Sequence, residues 1–213
     1  MEHEFWKQAW EDGRTGFHRS EYHPELIKYF PLFEAKSEES ILVPLCGKTL
    51  DMIWLSHQNL YVHGVELSEK AVREYFLENN LDDYKVEENC YTHQNTTLEV
   101  GDFFKHNNVN GHDYIYDRAA IVALPKATRK EYAHHCLKLL KPGGRILLIT
   151  FEYDQTKLSG PPFSVTEAEV NELYGKEASI ELLEKKSDKP KNPKFKDAGV
   201  EFFTQKVYLI EKN

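Results

Sequence analysis

Apolar and polar positions follow two rhythms along this chain, and the changes between them lay out its elements. Phe5, Trp6, Ala9 and Trp10 recur at helical spacing before Gly13, which predicts a short amphipathic helix with two indoles on one face. Thr15-Gly16-Phe17-His18 reads as a loop, and Pro24 to Phe33 as a second helix entered through a proline. Short apolar runs then alternate with amphipathic stretches. They predict strands over 41–44, 61–66, 97–100, 114–116 and 145–151, with helices over 50–57, 69–78 and 127–140 between them. Ser68 is placed to cap the helix that begins at Glu69. In Lys141-Pro142-Gly143-Gly144 the proline ends a helix and the glycines permit a sharp reversal into the next strand. Ser159-Gly160-Pro161-Pro162-Phe163 reads as a stiff loop, and Thr166-Glu167-Ala168-Glu169 as a capping box opening another helix. Two closing strands are expected near 179–184 and 202–210, while residues 79–95, polar and without period, read as an excursion.

Strands alternating with helices predict an α/β fold: a mainly parallel sheet, helices on both faces and right-handed crossovers. The 213 residues fit one domain, 1–213, in which 1–35 form an N-terminal helical cover. At 40% hydrophobic and 29% charged residues the chain is an ordinary globule, which excludes intrinsic disorder. A net charge of -8 without a basic stripe argues against a nucleic-acid partner. The lysines between Lys185 and Lys196, interrupted by Asp188 and two prolines, read as a solvated loop. Cys46, Cys90 and Cys136 form no C-x-x-C pair and leave an odd thiol, the usage of a reducing compartment. The N-terminus opens on acids and aromatics, and no run approaches the roughly 18 apolar residues of a membrane span, so a cytoplasmic protein without a membrane partner is expected. A monomer is the default expectation.

The most informative stretch runs from Ser40 to Glu66. The strand Ile41-Leu42-Val43 enters the turn Pro44-Leu45-Cys46-Gly47-Lys48, and the next strand closes on Glu66, nineteen positions beyond Gly47. A carboxylate at that offset can accept hydrogen bonds from a ribose diol, as in nucleotide-binding folds where it lies about 20 residues on. A pyrophosphate, however, requires several glycines so that backbone N–H groups can approach it, and this turn has one. S-adenosylmethionine, with a ribose and no phosphate, fits better than NAD. Gly47-Lys48-Thr49 is not a phosphate-binding loop, because the position five before Gly47 is Leu42. Cys46 reads as a small thiol packed in the turn, with no base beside it. The ten histidines include no H-E-x-x-H, and His134-His135 adjoin on a helix and face apart, so no metal is expected.

Beyond these separate readings, an ordered set of motifs extends over nearly the whole chain. It comprises Phe5-Trp6 with Trp10, Gly16-Phe17-His18, Val43-Pro44-Leu45-Cys46-Gly47-Lys48 through Asp51-Met52, Gly64-Val65-Glu66-Leu67-Ser68, Gly101-Asp102-Phe103-Phe104, Tyr116-Asp117-Arg118-Ala119 and Gly160-Pro161-Pro162-Phe163. Together they resemble the thiopurine S-methyltransferase family in its compact bacterial form. The resemblance implies a class I methyltransferase: a Rossmann-like seven-stranded, mostly parallel sheet with its penultimate strand reversed and the cofactor at the carboxyl ends of the strands. It implies S-adenosyl-L-methionine contacts at Trp10, Leu45, Glu66, Asp102, Phe103 and Arg118, with Trp6 a weaker addition. Glu66 would hold the ribose diol, and Asp102 and Phe103 would lie beside the adenine. Trp10 would cover the sulfonium through a cation–π contact of about 0.5–2 kcal/mol. Arg118 would pair with the methionine carboxylate or stand near the acceptor, and the sequence leaves both open.

On the acceptor side the resemblance gives apolar walls at Phe17 and Pro161-Pro162-Phe163. Lys194 stands where family members generally carry an arginine, replacing a planar fork with a point charge. The implied reaction transfers a methyl group to the sulfur of a small aromatic or heterocyclic thiol, thiopurines being the namesake, and leaves S-adenosyl-L-homocysteine. No catalytic base is assigned, because an in-line displacement from an activated donor needs alignment above all. Inorganic selenium or tellurium species, simple thiols and halides are alternative acceptors. An NAD-dependent oxidoreductase and a non-catalytic cofactor-binding protein are competing readings, opposed by the missing glycines and by the second wall.

Overall fold

The computed structural model describes residues 3–213, among which nine strands form one sheet. In chain order they are β1 (Ser40–Pro44), β2 (Tyr61–Glu66), β3 (Lys85–Glu87), β4 (Cys90–His93), β5 (Thr96–Val100), β6 (His112–Arg118), β7 (Leu140–Glu152), β8 (Ala178–Asp188) and β9 (Phe203–Lys212). Their spatial order is β3-β4-β5-β2-β1-β6-β7-β9-β8. The strands from β5 to β7 are parallel neighbours, whereas β9 runs against both β7 and β8. The helices are α1 (His3–Glu11), α2 (Pro24–Tyr29), α3 (Asp51–Ser56), α4 (Glu69–Glu78), α5 (Lys126–Leu139), α6 (Glu167–Tyr174) and α7 (Pro193–Asp197).

The strand pleat explains the two cores. Leu42 in β1 points into one, shared with Ile115, Ile146 and Leu148 and closed by Tyr132, Ala133 and Cys136 of α5 and Val170 of α6. Its neighbours Ile41 and Val43 point the other way, joining Val62 and Tyr116 under Leu26 of α2, Met52 and Leu55 of α3 and Val72, Tyr75 and Phe76 of α4. Helices therefore cover both faces of a mostly parallel sheet, the class I Rossmann-like arrangement. Among the described residues no helix is long and apolar enough to cross a membrane.

Four local expectations are corrected. The seven expected strands are all present with β9 reversed, but the sheet has nine, because the stretch read as an excursion forms the antiparallel hairpin β3-β4. All three residues of β3 are exposed, so backbone pairing alone builds it and no apolar alternation announces it. The helix expected over Pro24 to Phe33 ends at Tyr29 and tightens into a 3₁₀ turn over Phe30–Phe33, since Pro31 has no N–H to continue the ladder. Pro142-Gly143-Gly144 falls inside β7 as a bulge: pairing jumps from His112–Leu140 to Tyr114–Arg145, with Gly143 at φ +72°. The lysine-rich stretch is solvated, as its lysines are exposed, but it is not simply a loop. Lys185 and Lys186 belong to β8, and α7 forms because Asn192 caps it and Phe195 buries itself against Tyr153 and Val200.

Candidate active site

After β1 the chain moves to β2 on one side, and after β6 it moves to β7 on the other. The two neighbours thus open a crevice at their carboxyl ends, where open α/β sheets bind ligands. A cleft of about 1070 Å³ lies there. Leu45, Gly47, Glu66 and Arg118 line it from the strand ends, Trp6, Trp10 and Phe17 from the N-terminal segment, and Pro161, Pro162 and Lys194 from the far rim.

The turn after β1 is unusual in its backbone. Leu45 adopts φ +48° and Gly47 φ +53°, and Ala119, just past Arg118, adopts φ +70°. A left-handed conformation costs a non-glycine residue about 1–2 kcal/mol, so Leu45 and Ala119 mark two strained points on the wall of one cleft. Gly47 is required twice over, because a Cβ there would lie 2.9 Å from Cζ2 of Trp10 as well as sit at positive φ. Trp10 is 3% exposed, and its ring meets Phe17 edge-on at 5.4 Å. The helix α1 therefore lies across the turn as a cover, with Lys70 Nζ donating to the Glu11 carbonyl at 3.2 Å.

Glu66 ends β2 at 6% exposure. Its Oε2 accepts the Gly47 N–H and its Oε1 the Ser68 N–H, each at 2.8 Å. Burial pushes its carboxyl up, opposed by these same backbone donors. Each oxygen keeps a second lone pair for a further donor. Arg118 ends β6; its Nη2 donates to the Phe17 carbonyl at 2.9 Å, while Nε is buried without a partner. Burial lowers its affinity for the proton, and no carboxylate among the described residues forms an ion pair with it. Behind it, Asp117 accepts from Tyr132 Oη at 2.8 Å and from the Ile121 N–H at 3.2 Å.

The rim at 159–164 is held at several points. Lys194 Nζ donates to the Pro161 carbonyl at 2.7 Å, Tyr153 Oη to the Pro162 carbonyl at 2.6 Å, and Arg129 Nη1 to the Ser164 carbonyl at 3.0 Å. Arg129 is itself fixed by both oxygens of Glu169 at 2.8 and 3.0 Å.

Of the expected site residues, Trp10, Leu45, Glu66, Arg118, Phe17, Pro162 and Lys194 converge on the cleft, as does Trp6. Three stand off its lining. Asp102 caps the turn Phe103–Lys105 by accepting the Phe104 N–H at 3.1 Å, and Phe103 turns into the core against Tyr132, ring centroids 5.3 Å apart. Phe163 folds back under Gly160 and lies 5.8 Å from the Arg129 guanidinium. The cleft also gathers Tyr116, Arg14, Arg19, Lys186 and Gln205, which the sequence reading passed over. Tyr116 was accessible to that reasoning, being two positions before Arg118 on the same strand. Burial raises the Cys46 thiol well above its ordinary range, the environment of a packing thiol.

The fold likeness is broad: a Burkholderia thailandensis 1,6-didemethyltoxoflavin-N1-methyltransferase, solved with S-adenosylhomocysteine, superimposes with a TM-score of 0.66 at 16% identity, over 99% of this chain and 87% of that one. Sheet order, strand-end cleft and sequence kinship together define an S-adenosylmethionine-dependent methyltransferase of the Rossmann-like class. The kinship is specific, since the profile of the family named thiopurine S-methyltransferase matches residues 1–213. A Vibrio cholerae thiopurine S-methyltransferase is 44% identical over 214 positions, covering 99% of this chain and 98% of that protein. Its Nitrosospira multiformis counterpart is 42% identical over 215 positions, with coverage of 99% and 98%. This chain belongs to the thiopurine S-methyltransferase family.

Proposed function

We propose that the chain methylates the sulfur of small aromatic or heterocyclic thiols, thiopurines among them, with Glu66, Trp10, Leu45 and Arg118 holding S-adenosylmethionine. The observation that carries the reading is Arg118, a half-buried guanidinium lining the cleft with one carbonyl partner and a buried, orphaned Nε. A half-buried cation in that state fits an anion brought by a ligand, either the methionine carboxylate or an acceptor thiolate. The cofactor fits the remaining residues. Glu66 has free lone pairs for a ribose diol, and the indole of Trp10 beside Gly47 offers a π face for a sulfonium. Asp102, at the end of the neighbouring strand, bounds the adenine side, and Phe103 supports that loop from the core.

When bound, S-adenosylmethionine supplies a methyl group already activated by its sulfonium charge. The chain then has to align, desolvate and choose the ionisation state of the acceptor. Alignment alone can account for about 7–11 kcal/mol of a bimolecular barrier, more than the roughly 10²- to 10⁴-fold of a general base. Phe17, Pro161 and Pro162 wall the acceptor side against water. Arg118 and Lys194 supply positive charge that favours a thiolate, so no residue has to remove a proton during transfer. The names of the relatives agree with a sulfur acceptor, and the cation-rich rim agrees with an anionic one.

A panel of thiols and selenium or tellurium oxyanions, with methylated product read by mass spectrometry, tests the acceptor class. Rate–pH profiles of Arg118→Ala and Lys194→Ala test the cationic assistance. Both variants are expected to slow transfer and move the pH midpoint upward, towards the free thiol's own pKa. Unchanged rates and midpoints in both variants would refute the assistance, and turnover of none of the sulfur acceptors would refute the proposal.

A further inference from the structure

A second cluster of chemistry-bearing side chains lies apart from the cleft, and none of its members lines it. His63 on β2, Glu99 on β5 and His106, just beyond the turn Phe103–Lys105, bring their donor atoms within 4.8 Å of one another. Both imidazoles aim at the same oxygen: His63 Nε2 lies 3.3 Å and His106 Nδ1 2.7 Å from Glu99 Oε2. We propose that His63, Glu99 and His106 form a divalent transition-metal site, filled by Zn²⁺ or an ion of similar preference, that clips the segment after β5 to the sheet.

The donor set is two neutral-capable imidazoles and a carboxylate, the ligand chemistry of Zn²⁺, Co²⁺ and Ni²⁺. Ligands about 2.0–2.1 Å from a tetrahedral ion stand about 3.4 Å apart, so the His63–Glu99 edge at 3.3 Å already has that span, while the 2.7 Å His106–Glu99 edge opens by about 0.7 Å and the two imidazoles, within 4.8 Å, draw together. The outer shell is also built. His106 Nε2 meets His112 Nε2 at 3.4 Å, and His112 Nδ1 meets Ser40 Oγ at 2.8 Å. Metal on His106 Nδ1 would leave the ring proton on Nε2, and this relay can accept it, which fixes the tautomer a ligand requires. His106 and His112 are buried at 7% and 1%, while the His63 and Glu99 side chains keep 22% and 20% exposure. The site thus has a rigid floor and an open approach for the ion and a water ligand. The sequence expectation of no metal rested on donors close together in the chain, whereas His63 and Glu99 are 36 positions apart.

The test uses the full chain after chelator treatment, titrated with Zn²⁺ by calorimetry and with Co²⁺ by visible absorption. One ion per chain is expected, with the intense d–d bands of low-coordinate cobalt and a melting temperature that rises with added Zn²⁺. His63→Gln and Glu99→Gln are expected to weaken binding at least tenfold, and His112→Ala by about 10- to 100-fold through the outer shell. His134→Gln, at an exposed histidine elsewhere, should leave binding unchanged. Absence of stoichiometric binding by the unmutated chain, or binding that survives both ligand substitutions, would overturn the proposal. Should a variant fail to fold, the cobalt spectrum of the unmutated chain still decides, since a spectrum of six-coordinate, weakly absorbing cobalt would also refute the site.

Discussion

Glu66→Gln separates two jobs that one side chain performs. The carboxylate accepts the Gly47 and Ser68 N–H groups, one on each oxygen at 2.8 Å, in a buried setting. An amide offers one oxygen and one NH₂, so in either orientation a backbone N–H faces an N–H. One buried donor is left unsatisfied, which costs about 1–3 kcal/mol. Removing a charge that burial disfavours offsets part of that loss, placing the expected destabilisation in the lower half of the range. Cofactor binding suffers separately. A ribose diol facing Gln keeps one acceptor in place of two, and losing a hydrogen bond to a charged group is worth about 1.5–3 kcal/mol, or roughly 10- to 150-fold in dissociation constant. Calorimetric titration with S-adenosylhomocysteine measures the second effect and thermal unfolding the first. If the melting temperature falls while affinity stays within twofold, Glu66 is a clamp for the turn only and the assignment of the ribose to it is wrong.

Gly47→Ala adds a Cβ 2.9 Å from Trp10 Cζ2 at φ +53°. It is expected to destabilise the fold by about 1–2 kcal/mol, displace Trp10 and weaken cofactor affinity, read by thermal unfolding, tryptophan fluorescence and titration. Burial holds the Asp117 carboxyl up at about 6, against an ordinary 3.8, so the folded chain keeps a proton that the unfolded chain releases. Stability from this group therefore falls as pH rises from 3.8 towards 6, by about 3 kcal/mol, and Asp117→Asn should flatten that descent in urea unfolding series. A wild-type-minus-variant difference that is constant over the window would refute it. Arg129→Met strands the buried Glu169 and releases the Ser164 carbonyl. A loss of about 3–5 kcal/mol is expected in chemical denaturation, with a higher KM for the acceptor than for the cofactor because the rim at Pro161-Pro162 loosens.

The parts legible in the sequence are those whose physics is local. Leu42 flanked by Ile41 and Val43 announces a strand covered on both faces, Ser68 announces a helix start, and the Gly47-to-Glu66 spacing announces a strand-end pocket. What escaped depends on partners distant in the chain. Of the hairpin β3-β4, β3 presents only exposed residues and β4 buries the single Tyr91, so its pairing with the edge of β5 leaves no apolar run to mark it. Lys186 is solvated as read, yet it also meets Glu25 across 161 positions, a contact nothing local announces. Phe103 and Phe163 sit in site motifs, but Phe103 packs against Tyr132 and Phe163 lies 5.8 Å from the Arg129 guanidinium, contacts with partners that their own motifs do not name. The His63–Glu99–His106 group escaped for the same reason as the hairpin: three donors from separate segments meet only after the sheet has formed.

The placement of β9 between β7 and β8 means that β8 joins the sheet only through the later strand β9. β8 has no other strand beside it, and it leads into the segment that carries Lys194 to the cleft. A polypeptide interrupted before Phe203 could still build β1, β2, β5 and β6, with Glu66 and Arg118 in place, and would keep residues 159–164 and Lys194, yet would leave β7 and β8 as two raw β edges. The bare edges of such a fragment are the kind of surface that quality-control proteases and aggregation both seek.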